Sequence, residues 1–334
     1  MAGVADPTLG LRWVPVIVAL HIWARTGGAL SGKVTLGLCI CTMNRPEDLR
    51  EALGAVLAAD DPPERVLVSD DTPAGDVADS VRAVAESFAG VVYQAGPRKG
   101  LGPNRNACLR ALMADEGASV DWVLFIDDDV KVPGDHFVRV RERLAVAEGK
   151  TIVSGGEHKH RSDGREPVWT EPARVGFWGT QTAEHDGDPN AIVINATAFP
   201  MGLFRSEDGR AGAAFDERLK YGCEEIDVCR QAIARGYRIA FEPGWWVDHY
   251  PAPSNRESYD RVKGASYIYA TLKGHLLIDR RPLRFLAFAL FGPARSVLQR
   301  TRRQGPRAGW RALVQSLRGF GLLGLEMIKN KRPV

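Results

Sequence analysis

The sequence predicts an α/β fold built around a parallel sheet, and three observations lead to that class. Apolar segments of strand length alternate with amphipathic segments of helix length from Lys33 onward. The segment Trp122–Ile126 is apolar without a break, which is typical of a strand buried on both faces of a parallel sheet. Polar residues directly follow several strands, and parallel α/β sheets collect ligands at the carboxyl ends of their strands.

The first half of the predicted domain contains four strands and three helices. The first helix begins near Pro46, and Glu47 and Asp48 face the positive end of its dipole. A loop rich in glycine and proline precedes the third helix. The predicted strands are Val34–Thr42, Arg65–Ser69, Val91–Tyr93 and Trp122–Ile126.

The second half is predicted to continue the alternation with a long irregular insertion. One helix includes Phe137 and Leu144, and another runs to Arg235, where Gly236 ends it. Residues 155–190 are polar, and long loops in compact domains are usually functional or mobile. The predicted strands of this half are Thr151–Ser154, Ile192–Phe199 and Trp245–Asp248.

Composition places the chain among soluble globular proteins. It has 334 residues, of which 45% are hydrophobic and 25% charged. Its five cysteines lack the paired spacing of a zinc site, so we interpret them as reduced thiols of a cytoplasmic protein. The apolar segment Trp13–Ala24 is too short to span a bilayer, which needs about 20 residues. We expect residues 1–32 to form a disordered extension or a loose membrane-surface segment.

Basic residues are concentrated in the last quarter of the chain. Residues 255–334 contain 17 Lys and Arg against four Asp and Glu, whereas residues 1–254 contain 27 against 37. Aromatic and aliphatic residues lie among these charges. Two interpretations remain open, which are amphipathic helices at an anionic membrane surface and a helical subdomain that packs on the sheet. Nucleic acid is a weaker alternative, because no known binding module is visible.

Four sets of polar residues are predicted to converge on one edge of the sheet. They follow three strands or lie in the loop before the third helix, and their convergence favours a nucleotide pocket over unrelated helix caps. A carboxylate such as that of Asp70 accepts the imide N–H of uracil or thymine, and Arg105 donates to a carbonyl or a phosphate. The candidate nucleotide-binding residues are Thr42, Asn44, Arg45, Asp70, Lys99, Arg105, Asp127 and Asp128.

Asp127 and Asp129 are candidate ligands of a hard divalent cation. Side chains alternate along a strand, so these two carboxylates can point the same way while Asp128 points elsewhere. Paired oxygen ligands suit Mg²⁺ or Mn²⁺ better than zinc, and such a cation neutralises a diphosphate. The alternative is a polar strand end that caps the next helix.

Taken in order, these segments resemble the motifs of family-2 glycosyltransferases over about residues 33–250. The resemblance rests on Asn44-Arg45-Pro46, Val66–Asp71, Arg105-Asn106 and Phe125–Asp129. It implies a GT-A fold, with a Rossmann-like nucleotide-binding sheet and an acceptor-binding half. It also implies a donor site in which Asp127 contacts the ribose, Asp129 binds the metal, and the nucleotide is lined by Thr42, Arg45, Asp70 and Arg105.

The same resemblance covers the general base and a third metal ligand. The family pattern Glu-Asp-x-Asp has its base at the second position, where this chain has Glu225, and Asp227 is the alternative. His249 ends a strand where the family often has a metal ligand, and a neutral imidazole suits manganese. Without the resemblance, the acids near residue 225 are ordinary favourable charges at a helix N-terminus.

The combined interpretation is an inverting glycosyltransferase that uses Mn²⁺ or Mg²⁺ and a UDP-, dTDP- or GDP-linked sugar. Its acceptor would be a glycan or a lipid-linked molecule in glycan, polysaccharide or glycolipid biosynthesis. We expect it in the cytoplasm, peripheral on the inner face of the cell membrane, without a nucleic-acid partner. Residues 33–254 would form the GT-A domain, with a nucleotide-sugar half at 33–130 and an acceptor half at 131–254. Residues 255–334 would form a basic helical region.

Three other classes remain open at this stage. A sugar-phosphate nucleotidyltransferase would share the sheet and the metal, but no Gly-rich, Arg-containing loop follows the first strand. A phosphatase of the haloacid-dehalogenase type has Thr or Val where this chain has Lys131, and usually carries its acids on the first strand. A non-catalytic nucleotide-binding module would require the acids at 127, 129 and 225 to be incidental.

Overall fold

The computed structural model describes residues 33–114, 119–183, 187–207, 209–251 and 256–330, without the side chains of 256–261 and 330. The predicted extension at residues 1–32 lies outside this part. From Thr35 onward the chain forms one compact unit, so the sheet and the C-terminal helices belong together.

Eleven strands occur in the described part of the chain. They are β1 (Leu36–Thr42), β2 (Arg65–Asp70), β3 (Val91–Ala95), β4 (Trp122–Asp127), β5 (Val130–Lys131), β6 (Thr151–Lys159), β7 (Val168–Thr170), β8 (Arg174–Val175), β9 (Gln181–Thr182), β10 (Thr197–Pro200) and β11 (Arg238–His249). The main sheet has the order β3-β2-β1-β4-β10-β6-β11-β5, with β7 paired to β6, and β8 and β9 form a separate hairpin.

The main sheet changes from parallel to mixed strand pairing halfway across. Strands β3, β2, β1 and β4 run parallel, as the alternation of strands and helices predicts. Strand β10 then runs antiparallel between β4 and β6, while β11 pairs in parallel with β6. In this register Thr42 lies opposite Asp70, and Cys41 lies opposite Asp127. The ends of β1, β2 and β4 therefore meet at one edge of the sheet.

Eight α-helices occur in the described residues. They are α1 (Pro46–Ala58), α2 (Asp76–Glu86), α3 (Leu101–Ala114), α4 (His136–Leu144), α5 (Glu224–Ala234), α6 (Arg256–Lys273), α7 (Pro282–Gln304) and α8 (Pro306–Asn330). Helix α1 begins at Pro46. Proline is tolerated at this position because the first residue of a helix donates no intrahelical hydrogen bond. The helix buries Leu49, Leu53 and Val56. A π-helical turn, Gly274–Ile278, separates α6 from α7. None of these helices is long and apolar enough to cross a membrane.

Two segments of the second half differ from the sequence-based prediction. Of the predicted strand Ile192–Phe199, only the end belongs to β10, because a 3₁₀ turn, Ile194–Ala196, comes first. The hydroxyl of Thr197 donates to the carbonyl of Val193 at 2.6 Å and closes that turn. Part of the predicted loop at residues 155–190 is regular instead, since β6 continues to Lys159 and β7 pairs with it.

Two hydrophobic clusters stabilise this arrangement. Under the sheet, the rings of Phe125 and Phe215 lie 5.2 Å apart between centroids, in an edge-to-face contact that aromatic rings favour. This cluster joins β4 to residues next to α5. A second cluster, which includes Tyr269 and Phe288, packs α6 against α7. The C-terminal helices thus have a core of their own within the compact unit.

Candidate active site

A cleft of about 400 Å³ lies at the edge of the sheet where β1 and β4 end. Its wall includes six of the residues proposed from the sequence, namely Thr42, Arg45, Asp127, Asp128, Asp129 and His249. The parallel register explains the convergence, because it brings the carboxyl ends of both strands to the same edge. His249 arrives from the end of β11, on the other side of the sheet.

Asp127, Asp129 and His249 form a potential metal site. One ligand atom from each lies within 4.8 Å of the others, so a single cation can be reached by all three. Two carboxylate oxygens and an imidazole nitrogen suit Mn²⁺, and the carboxylates also suit Mg²⁺. The other imidazole nitrogen, Nδ1, lies 3.0 Å from Oε1 of Glu157. A carboxylate in this position orients a metal-binding histidine, so the residues present fit a divalent cation.

The electrostatic field at His249 is strongly negative. Burial alone would lower the pKa of its imidazole, but the hydrogen bonds and charges of Asp129 and Glu157 outweigh burial and raise the pKa to about 10. Nε2 lies 3.3 Å from Oδ1 of Asp129.

Asp128 points away from the metal ligands and holds two other cleft residues. Its Oδ2 accepts a hydrogen bond from Thr42 Oγ1 at 2.7 Å, and its Oδ1 accepts one from Arg45 at 2.8 Å. The same guanidinium nitrogen of Arg45 lies 3.2 Å from Asp129. Burial raises the pKa of Asp128 to about 7, although Arg45 and Thr42 oppose this shift. Asp128 thus positions Arg45 beside the metal site.

Arg105 is buried and bridges three elements. Its Nη1 donates to Oε1 of Glu224 at 2.9 Å, and its Nη2 lies 3.4 Å from Oδ1 of Asp127. Burial disfavours its charge, but these two carboxylates outweigh burial and raise the pKa of the guanidinium. Arg105 therefore fixes the start of α5 relative to the end of β4, and its predicted contact with the nucleotide remains a prediction.

Four of the predicted nucleotide residues are not among the described residues that line the cleft: Arg105, Asp70, Asn44 and Lys99. Asp70 is buried, and its carboxylate accepts hydrogen bonds from the backbone of Thr72 at 2.8 Å and from Tyr93 at 3.1 Å. Asn44 and Lys99 are exposed. Asn44 has a φ of 62°, and its backbone N–H donates to the Thr72 hydroxyl.

Asp71, which the sequence reasoning passed over, lies on the cleft wall in place of Asp70. Its two carboxylate oxygens accept the backbone N–H groups of Arg98 at 2.8 Å and Gly100 at 2.9 Å. Asp70 is the last residue of β2 to pair with β1, so the next residue leaves the sheet toward the ligand side. The sequence could have identified Asp71 instead of Asp70 only if it had shown at which residue β2 ends.

Three lysines on the cleft wall were also missed. They are Lys159, Lys220 and Lys263. The ammonium of Lys263 lies 5.1 Å from the ring centroid of Tyr221, which also lines the cleft. The lysines come from β6, from the loop before α5 and from α6, so no local motif joins them. Together they add positive charge to a cleft whose wall also contains the carboxylates of residues 127–129.

A tight turn sets the start of α5, where the candidate base residues lie. Gly222 has a φ of 83° and Cys223 a φ of 69°, both in the left-handed region. Glycine adopts this region without strain, whereas a residue with Cβ pays about 1–2 kcal/mol. The turn leads from Tyr221 in the cleft wall directly into Glu224, the first residue of α5.

The two candidate bases have different surroundings. Asp227 is fully buried, and its Oδ2 accepts hydrogen bonds from Lys273 at 2.8 Å and from Gln231 at 2.7 Å. Glu225 is half-buried, and no hydrogen bond or ion pair to its carboxylate occurs among the described residues. Burial, together with the charge of Glu224, raises the pKa of Glu225 to about 8. Glu225 does not line the cleft of about 400 Å³, but it is the more accessible of the two candidate bases.

Comparison with known proteins agrees with this geometry. The profile described as Glycosyl transferase family 2 matches residues 38–207, about half of the chain. Succinoglycan biosynthesis protein ExoM of Rhizobium meliloti (strain 1021) is 28% identical over 255 residues, which cover 72% of this chain and 74% of ExoM. Rhamnosyltransferase WbbL of Escherichia coli (strain K12) is 23% identical over 227 residues, which cover 65% of this chain and 84% of WbbL.

A solved structure has the same fold. The crystal structure of GalNAc-T7 with UDP, GalNAc and Mn²⁺ superimposes with a TM-score of 0.54 and 11% sequence identity over 73% of this chain. The chain spans about half the length of that protein, since the match covers 48% of it. At this identity the likeness concerns the fold, and it confirms the GT-A-like architecture predicted from the sequence. The chain belongs to glycosyl transferase family 2 and is a glycosyltransferase.

Proposed function

We propose that this enzyme transfers a sugar from a uridine diphosphate sugar to an acceptor hydroxyl during polysaccharide biosynthesis. The observation that carries the proposal is the convergence of Asp127, Asp129 and His249 within 4.8 Å at the cleft of a family-2 fold. The structural neighbour was crystallised with UDP and Mn²⁺, and the relatives are named for succinoglycan biosynthesis and rhamnosyl transfer. Sugars linked to dTDP or GDP are the alternative donors.

In the proposed donor complex, Asp127, Asp129 and His249 hold Mn²⁺ or Mg²⁺. The cation would neutralise the diphosphate as it leaves. Phosphate oxygens would be bound by Arg45 and by the three lysines of the cleft wall. Arg45 is held in place by Asp128, whose Oδ1 lies 2.8 Å from Nη1 of Arg45. We propose Asp71 instead of Asp70 as the acceptor for the imide N–H of uracil, because Asp71 lines the cleft and Asp70 is buried with other partners.

We propose Glu225 as the general base that takes the proton from the acceptor hydroxyl. A base must reach the hydroxyl, and the carboxylate of Asp227 is instead held inside the protein by Lys273. The sugar would then be attacked in line with the departing diphosphate, with inversion at the anomeric carbon, as the family resemblance implies. Glu224 cannot take the same role while it binds Arg105 at 2.9 Å.

A thermal-shift screen of sugar nucleotides with Mn²⁺ tests the donor site. A ligand present at about 100 times its dissociation constant stabilises the folded protein by about 2.7 kcal/mol. We expect a shift with UDP-sugars that EDTA abolishes, that Asp129→Ala abolishes, and that Asp128→Ala reduces less. Asp76→Ala, at the exposed start of α2, is the matched control. An unchanged metal-dependent shift in Asp129→Ala would disprove the metal assignment.

We also propose that the C-terminal helices attach the enzyme to an anionic membrane and to a lipid-linked acceptor. On α7, Leu283, Leu290 and Phe291 are 81%, 70% and 61% exposed and share one face of the helix. On α8, Trp310 and Leu317 are 67% and 64% exposed. Seventeen basic residues lie in this region against four acidic ones, and each one near an anionic surface contributes about 1 kcal/mol.

Co-sedimentation with anionic vesicles tests the attachment. We expect the full chain to bind at low salt and to dissociate at high salt, since the Debye length shortens from about 10 Å at 0.1 M to about 3 Å at 1 M. Leu283→Gln combined with Leu290→Gln should weaken binding. Val77→Gln, an exposed apolar residue of α2, is the control. If the intact enzyme does not bind anionic vesicles at low salt, the case for a lipid-linked acceptor fails too.

A further inference from the structure

A second cavity, of about 1810 Å³, lies on the side of α5 that carries Arg230 and Ile233. It extends to the π-helical turn and to the start of α7, and the donor cleft shares none of its lining residues. Eleven Lys and Arg side chains line it, against five carboxylates. The surplus of positive charge distinguishes this cavity from the donor cleft, where aspartates meet at the metal site.

Positive charge is in excess at the end of the cavity next to α7, where the carboxylate of Asp279 offsets only part of it. Deeper in, Lys273 is paired with Asp216 at 2.7 Å and with Asp227 at 2.8 Å. By contrast, no carboxylate among the described residues lies within ion-pair distance of Arg280, Arg281 or Arg284. All three side chains are exposed and line the same cavity, Arg280 and Arg281 from the link before α7 and Arg284 from its first turn. Their repulsion is relieved most directly by an anion.

The backbone holds these arginines in an unusual conformation. The N–H of Asp279 donates to the carbonyl of Gly274 at 2.8 Å, and the N–H of Arg281 donates to the carbonyl of His275 at 2.7 Å. Between them Arg280 has a φ of 53°, which non-glycine residues rarely adopt. π-helical turns and such outliers occur often at functional sites. The turn therefore presents the arginine cluster in a fixed geometry.

Arg230 extends the cluster into the cavity wall. A Cβ on Gly274 would lie 1.3 Å from Nη1 of Arg230, so any larger residue there would displace this guanidinium from its present position. Burial lowers the pKa of Arg230, Asp279 and Asp227 oppose this shift, and the charge of Arg284 adds a smaller contribution in the same direction as burial. Arg230 and Arg284 thus line the same cavity from two different helices.

We infer that this cavity is a second phosphate-binding site, in which Arg230, Arg280 and Arg284 bind a phosphate or diphosphate group at the end of a lipid chain. Guanidinium groups bind phosphate oxygens in pairs, which suits a cluster on two facing elements. The exposed Leu283 and Leu286 lie beside these arginines on the first turns of α7. The choice of a lipid-borne ligand rests on the proposed membrane attachment, whereas the phosphate site itself does not.

Calorimetric titration of the full chain with inorganic pyrophosphate in EDTA tests the site. We expect binding, and we expect Arg280→Gln with Arg284→Gln to weaken it at least tenfold. Arg302→Gln with Arg303→Gln removes the same charge from the exposed end of α7, outside the cavity, and should leave the affinity within about twofold. All four side chains are exposed, so both double variants should fold, and equal melting temperatures verify this.

Whether the ligand carries a lipid chain is tested by comparing the affinities of geranyl diphosphate and pyrophosphate. Geranyl diphosphate should bind at least tenfold more tightly than pyrophosphate, and Leu283→Gln with Leu286→Gln should remove that advantage. Equal affinities for the two ligands would contradict a lipid-borne ligand. No pyrophosphate binding, or the same loss in both arginine double variants, would overturn the phosphate site. Neither result would affect Mn²⁺-dependent binding of UDP-sugars, so this inference and the proposed function fail separately.

Discussion

Replacing Asp227 should damage the stability of the enzyme and spare its chemistry. The Asp227 carboxylate lies inside a network that joins α5 to α6, in which Lys273 binds Asp227 at 2.8 Å and Asp216 at 2.7 Å. Tyr269 also donates to Asp216 at 2.5 Å. In Asp227→Asn the amide oxygen still accepts hydrogen bonds from Lys273 and Gln231, but one negative charge is lost. Lys273 keeps Asp216 as its remaining counter-charge.

The size of the effect follows from that geometry. A hydrogen bond to a charged group contributes about 1.5–3 kcal/mol, so Asp227→Asn should lower the free energy of unfolding by that amount. Each kcal/mol shifts the melting temperature by about 2–4 °C in domains of 150–250 residues, which gives about 3–12 °C. Lys273→Met leaves the buried Asp227 without a cation within ion-pair distance among the described residues, while Asp216 keeps Arg218 at 3.6 Å, and should cost about 3–5 kcal/mol.

Thermal unfolding and nucleotide release, measured on the same preparations, decide the question. We expect Lys273→Met to melt below Asp227→Asn, and Asp227→Asn to melt below the parent enzyme. At a temperature where all are folded, Asp227→Asn should retain turnover within a few-fold. The reasoning is refuted if Asp227→Asn melts like the parent but loses turnover by a factor of about 100 with donor binding intact.

Three further predictions concern protonation and packing. The rate of transfer should rise with pH toward about 8, because the pKa of Glu225 is raised to about 8 and a general base must be ionised. The pH–rate profile of Glu225→Gln should lack this rise. Burial lowers the pKa of His136 to about 4, so the unfolded chain binds a proton that the folded chain does not between about pH 6.5 and 4. Stability should therefore fall as pH decreases through that window, by up to about 3 kcal/mol, and urea unfolding of His136→Gln should lack this part. A Cβ at Gly155 would lie 2.0 Å from the Trp245 ring, so Gly155→Ala should destabilise by about 1–3 kcal/mol in urea unfolding, whereas Gly134→Ala, with open space around it, should not.

The features that sequence reasoning recovered are those that depend on neighbouring residues. Alternating strands and helices have local periodicities, and they predicted the parallel half of the sheet. The spacing of Asp127 and Asp129 follows from side-chain alternation on a strand, and the structure places both beside His249. Such features need no knowledge of which distant segments will meet.

The features that sequence reasoning missed depend on distant contacts or on one residue of register. The sequence predicted only the first part of β6, Thr151–Ser154, because Gly155 and Gly156 are weak strand formers. A Cβ at either glycine would collide with an indole ring, that of Trp245 or Trp169. The role of Asp227 depends on Lys273, 46 positions later in the chain. Choosing Asp71 over Asp70 as the residue that lines the cleft required knowledge of the last residue of β2. Strand ends are the least certain part of a sequence-based prediction.

The most direct test of the whole account is the rate of UDP release by Glu225→Gln with saturating UDP-sugar and Mn²⁺. The substitution keeps the shape of the side chain and removes its basicity. We expect the rate to fall by a factor of about 100 or more, the usual contribution of a general base, while the affinity for the donor stays unchanged. Normal turnover in Glu225→Gln would contradict the account, most clearly if Asp227→Asn were inactive.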